Sequence, residues 1–124
     1  MNRWRTSRIK SFWNAAKGIV YNLHHEPNFL IQLIIAVLVV AAGIFFSLRR
    51  IQWVFVILMI GSVLSAEAMN TAIEKICDRF FEDEDPRVKI IKNSAAAAVL
   101  IISASAFMVG FIIFWPYVKA LFVI

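Results

Sequence analysis

Glycine and cysteine are scarce in this chain, and their scarcity excludes most compact binding motifs. Only four glycines occur, Gly18, Gly43, Gly61 and Gly110. They lie too far apart to build the G-x-x-x-x-G-K loop or the G-x-G-x-x-G turn with which soluble nucleotide-binding proteins cradle phosphates. A nucleotide would have to be held by other means: a metal, a lysine, or basic residues near the N-terminus. The single cysteine, Cys77, rules out an intrachain disulfide framework and fits no zinc spacing, so it reads as an inert helix residue. His24 and His25 have no third ligand near them in sequence and read as interfacial polar residues. Internal repeats, low-complexity tracts and flexible linkers are also missing.

Apolar residues are what the chain has in excess. Of its 124 residues, 61% are hydrophobic, with a mean hydropathy of +0.77, against about 45–50% apolar in ordinary soluble domains. A soluble domain this small leaves much of its surface exposed and could not bury so much apolar area. Lipid is the natural solvent for the excess, so the chain is predicted to be an all-α integral membrane protein. Three stretches, 29–48, 51–81 and 90–118, reach the roughly 20 residues that a spanning helix needs. Arg49 and Arg50 end the first, and Pro116 lies near the far end of the third. The segment 3–24 differs from these. Trp4, Phe12, Ile19 and Leu23 recur at near-helical spacing, with Arg3, Arg5, Arg8, Lys10 and Lys17 as the polar complement. That pattern predicts an amphipathic helix lying in the membrane interface; the alternative is a disordered basic tail. A cleavable signal peptide is not expected, because a small-residue cleavage site is missing. The whole chain, 1–124, reads as one membrane domain.

The charge balance of +5 does not point to nucleic acid, because the basic residues flank the spans instead of alternating with aromatics on one surface. They report topology. Five precede the first span and five more (Lys75, Arg79, Arg87, Lys89, Lys92) surround the second connection, whereas Arg49 and Arg50 alone mark the first and Lys119 the C-terminal end. The positive-inside rule predicts a cytoplasmic N-terminus and a cytoplasmic 79–92 connection, with the C-terminus outside. Trp53, Trp115 and Tyr117 read as interface belt residues. The run Glu82-Asp83-Glu84-Asp85 reads as a solvated loop before Pro86, with a second metal site as the alternative.

One polar stripe breaks the second apolar stretch. At about 100° per residue, Glu67, Asn70, Thr71, Glu74 and Asp78 fall within an arc of roughly 100°. A carboxylate costs about 2.5–3.5 kcal/mol at the centre of a spanning helix on insertion scales, so a chain that keeps several on one face uses them. The predicted topology gathers Glu26, Glu67, Asn70, Glu74, Lys92 and Asn93 at the cytoplasmic boundary. Carboxylate and amide oxygens suit Mg²⁺, which readily shares its coordination with phosphate. A lysine could neutralise phosphate charge, and a carboxylate could accept a proton from an alcohol. From the residues alone, helix–helix adhesion and proton coupling remain open as other uses of the stripe.

The string Glu67-Ala68-Met69-Asn70-Thr71-Ala72-Ile73-Glu74, followed by Asp78 and then by Lys92 before an alanine-rich third span, resembles the bacterial integral-membrane diacylglycerol kinase/undecaprenol kinase family. Lys10-Ser11-Phe12 with Gly18, and Glu26-Pro27-Asn28-Phe29 with Gln32, extend the likeness over nearly the whole chain. The resemblance implies a catalytic-base role for Glu67, which would take the proton from the lipid hydroxyl. It implies metal and nucleotide-phosphate contacts for Glu26 and Glu74, and nucleotide contacts for Lys92 and Asn93. Asn70, Gln32 and Asp78 would take supporting or substrate-contacting positions. It further implies a homotrimer of three-span protomers with sites shared between neighbours. Small residues along the third span, from Ser94 to Ala98, Ser103 to Ala106 and Gly110, suit such close packing in lipid.

The family usually has aspartate where this chain has Asn93, so a charge is lost while hydrogen bonding is kept. The expected activity is an ATP- and Mg²⁺-dependent lipid kinase acting on a membrane lipid alcohol, undecaprenol before diacylglycerol. The Asn-Thr-Ala-Ile-Glu form and the Glu-Pro-Asn segment resemble the undecaprenol-kinase branch. Two alternatives come from other classes: a small proton-coupled oligomeric transporter, and a catalytically impaired scaffold derived from the kinase family.

Overall fold

The computed structural model describes residues 3–81 and 84–123, with the side chains of residues 3–6 outside the description. The side chains of Arg3, Trp4 and Arg5, and the Glu82-Asp83 part of the acidic loop, therefore lie outside the described residues. Four helices follow one another: α1 (Arg3–His25), α2 (Pro27–Phe45), α3 (Arg50–Phe80) and α4 (Pro86–Phe122). The last three are long and apolar enough to cross a membrane, and the chain is a multi-pass membrane protein.

Each boundary has a local cause. Glu26 is the single residue between α1 and α2, held extended (φ −117°, ψ 101°) by the proline that follows. Pro27 then opens α2 at a position where its missing N–H costs nothing. The far end of α2 stops earlier than the predicted 48. Leu48 N–H donates to the Gly43 carbonyl (3.0 Å) and Ser47 N–H to that of Ile44 (3.1 Å), the paired bonds of a Schellman closure. This closure needs a left-handed residue, and Ser47 supplies it at φ 53°. Glycine usually occupies that place, so the sequence carried no stop signal there. Arg49 N–H donates to the Gln52 side chain (2.9 Å) to start α3. Asp85 Oδ1 accepts from Arg87 N–H (2.9 Å) and Pro86 follows it, so α4 begins before the predicted 90. It also runs through Pro116 to Phe122, beyond the predicted 118.

Packing runs chiefly between α3 and α4, then α2 on α3, then α1 on α2. Two polar contacts fix α3 and α4 in antiparallel register, Tyr117 Oη donating to Gln52 Oε1 at one end (2.7 Å) and Lys92 Nζ bonding Asp78 Oδ1 at the other (2.8 Å). The residue separation between them is nearly the same on both helices, so there is no slip. A small core of Leu48, Val56 and Ile113 forms near the α2–α3 turn. Trp53 packs there directly over Gly43, where an added Cβ would lie 2.7 Å from its ring. Trp53 and Tyr117 thus serve as packing and hydrogen-bonding residues, a more specific role than the belt position read from sequence. Outward faces are apolar almost throughout, including Leu100, Ile101, Phe107, Met108 and Ile112 on α4.

Candidate active site

The polar stripe of α3 turns inward. Glu67, Asn70 and Thr71 are all buried, Glu67 with only 4% of its surface exposed. A buried carboxylate is expensive unless hydrogen-bonded, and α2 supplies the donor: Gln32 Nε2 bonds Glu67 Oε2 at 3.1 Å. One turn further on, Asn70 Nδ2 donates to Glu74 Oε1 at 3.2 Å, a pairing that the i, i+4 spacing allows. The α1–α2 joint adds Glu26, whose Oε1 pairs with Lys75 Nζ at 2.9 Å. Glu26 therefore reaches the level of Glu74, since Lys75 is the next residue along α3. Lys92 and Asp78 pair one turn beyond, on an exposed edge, with Asn93 exposed at the same end of α4.

The expected residues thus form three tiers along α3: Gln32 with Glu67, then Asn70 and Glu74 level with Glu26, then Asp78 with Lys92. Sequence reading missed Lys75 as a site residue, counting it only as a topological charge. Its signal was its place directly after Glu74, inside the polar run. Asn22 of α1, also buried, gave no signal at all.

No three His, Cys, Asp or Glu among the described residues converge into a metal cage. The donors present suit a different arrangement, in which Mg²⁺ takes one or two carboxylates and completes its shell with substrate phosphates and water. Among the described residues, three buried acceptors, Glu26 Oε1, Gln32 Oε1 and Asn70 Oδ1, have no partner in hydrogen-bond geometry, although Glu26 Oε1 lies within ion-pair distance of Lys75. Such orphaned oxygens beside carboxylates fit a site completed by a ligand donor or cation.

Residues 13–114 match the family model described as prokaryotic diacylglycerol kinase. The chain belongs to the prokaryotic diacylglycerol kinase family. Among relatives, it is 35% identical over 108 residues to the undecaprenol kinase of Bacillus subtilis, covering 87% of this chain and 88% of that one. It is also 30% identical over 125 residues to the diacylglycerol kinase of Synechocystis, covering 98% of this chain and 71% of the relative. Membership makes this enzyme a membrane lipid kinase.

Proposed function

We propose that the kinase transfers the γ-phosphate of ATP to the hydroxyl of a membrane lipid alcohol, undecaprenol in preference to diacylglycerol. The observation that carries this is the buried Glu67–Gln32 pair at one end of an apolar groove. The groove encloses about 530 Å³ between α2, α3 and α4, with Gln32, Ala36, Val63, Ala106, Gly110 and Phe114 among its walls. A lipid chain lying there would bring its hydroxyl to Glu67. The apolar part of α3 before Glu67, residues 51–66, measures about 24 Å at helical rise. With the N-terminus cytoplasmic, that length would set Glu67 near the inner edge of a hydrocarbon core roughly 30 Å thick, within reach of a cytoplasmic nucleotide.

Glu67 would accept the proton as the lipid oxygen forms its bond to the γ-phosphorus and the bond to the bridging oxygen of ADP breaks. Gln32 would hold that carboxylate in place. Glu26 and Glu74 would hold the magnesium ion that enters with ATP and neutralises phosphate charge. Lys92, Asn93 and Asp78 would face the nucleotide from the outer tier. Substrate preference is supported by the identity to a relative named undecaprenol kinase over 88% of its length. The chain would act as a single domain, with its N-terminus cytoplasmic in the bacterial inner membrane and α1 in the interface. Three copies would pack through the small residues of α4.

Reconstituted protein offered undecaprenol, diacylglycerol and ceramide side by side with Mg²⁺-ATP tests the reading. Labelled phosphate should appear in extracted lipid, fastest for undecaprenol. Proton flux without ATP would favour a transporter, and equal inertness of wild type and Glu67→Gln toward all three lipids would favour a scaffold.

A further inference from the structure

We propose that Lys75 is a positioning residue for the metal–nucleotide half of the site, holding Glu26 so that one carboxylate oxygen is left open for the cation. The inference rests on the metal reading above. Glu26 occupies the N-cap position of α2, where a side-chain oxygen ordinarily accepts from the first turn of the helix. It makes no such bond. Its carboxylate instead turns across to α3, where Lys75 Nζ meets Oε1 at 2.9 Å. That oxygen is buried and is met by the lysine as an ion pair, outside hydrogen-bond geometry, while the Glu26 side chain as a whole keeps 17% of its surface exposed and Lys75 keeps 55%.

Glu74 is treated the same way by a different residue. Asn70 holds its Oε1 at 3.2 Å, and among the described residues no hydrogen bond or ion pair engages Oε2 of either carboxylate. Each acid thus has one oxygen engaged, Glu74 Oε1 by a hydrogen bond and Glu26 Oε1 by an ion pair, and one uncommitted. Carboxylates that bind metals are commonly fixed by such outer partners, and losing the partner typically weakens metal affinity 10–100-fold. Glu26 needs one more than Glu74 does. It sits in a one-residue extended joint and not on a helix, so its own backbone does little to aim it. A lysine at the mouth of the site also favours a metal–nucleotide complex that carries net negative charge.

The test uses the full-length protein in detergent or bilayer, with Mn²⁺ as a spectroscopic substitute for Mg²⁺ and a non-hydrolysable ATP analogue. Free Mn²⁺ read by electron paramagnetic resonance gives affinity without turnover. Lys75→Met should weaken Mn²⁺–nucleotide binding about 10–100-fold, and Lys75→Arg should recover most of it. The Mg²⁺ concentration for half-maximal rate should rise in parallel, with excess Mg²⁺ restoring turnover. Thermal midpoints of both variants should match wild type, because the lysine is largely solvated. Affinity in Lys75→Met that is unchanged, or tighter because a competing cation has gone, overturns the proposal. Glu26→Gln and Glu74→Gln separate the two levels: if they also leave Mn²⁺ binding intact, the metal reading itself falls; if they abolish it while Lys75→Met does not, only the role of Lys75 falls.

Discussion

Replacing Glu67 by glutamine separates chemistry from packing. The side chain is 4% exposed and accepts one hydrogen bond, from Gln32 at 3.1 Å. Glutamine has the same shape, and its carbonyl oxygen can accept that same bond. It also removes a buried charge, which proteins seldom tolerate at a profit, so stability should hold or rise. Catalysis should not survive in the same way. An amide cannot take a proton, and loss of a general base costs typically 10²–10⁴ in rate, or about 2.7–5.4 kcal/mol of barrier. Gln32→Leu is the mirror perturbation. It leaves the carboxylate buried without its donor, at a cost of about 1–3 kcal/mol, and should lower stability along with rate. Phosphate transfer to lipid in mixed micelles measures the first effect, and helical circular dichroism during heating measures the second. Glu67→Gln turning over within about tenfold of wild type would refute the base assignment. A marked loss of its stability would show that the carboxylate is structural.

Three further outcomes follow from other parts of the fold. Gly43→Ala would drive a methyl to 2.7 Å from the Trp53 ring and should destabilise by about 1–3 kcal/mol, the usual cost of overpacking, seen as a lower melting temperature. Gly110→Leu meets no atom within 4 Å at its Cβ and projects from the wall of the apolar groove. The single chain has room for it, so helix content should stay at the wild-type level while KM for the lipid rises. The Arg87 side chain, and then its backbone N–H, hold Asp85 below the ordinary carboxylate value of 3.8. A lowered folded-state value means stabilisation that is complete above the ordinary value and lost as pH falls through the lowered one. Melting temperature should therefore decline with acid below about pH 4, and the Asp85-dependent part of that decline should vanish in Asp85→Asn.

Residues 67–78 show what could be read without coordinates. Helical periodicity is a local property, so the shared face of Glu67, Asn70, Thr71 and Glu74 follows from their spacing, and three of the four are buried as a stripe between helices should be. Three spans follow from apolar length alone. The family follows from one acidic string at its expected place among those spans. What the sequence could not determine was pairing. Lys75 and Lys92 carry the same charge at the same boundary, yet one holds Glu26 and the other Asp78. Trp53 looked like any interfacial tryptophan until the α2–α3 turn brought Gly43 beneath it. Between 10 and 49 residues separate these partners along the chain. The Glu26 and Trp53 contacts form because two short joints, an extended Glu26 and a left-handed Ser47, set how α1, α2 and α3 return on one another. Joint conformation is decided by the packing it permits, so these contacts exist only in the folded chain.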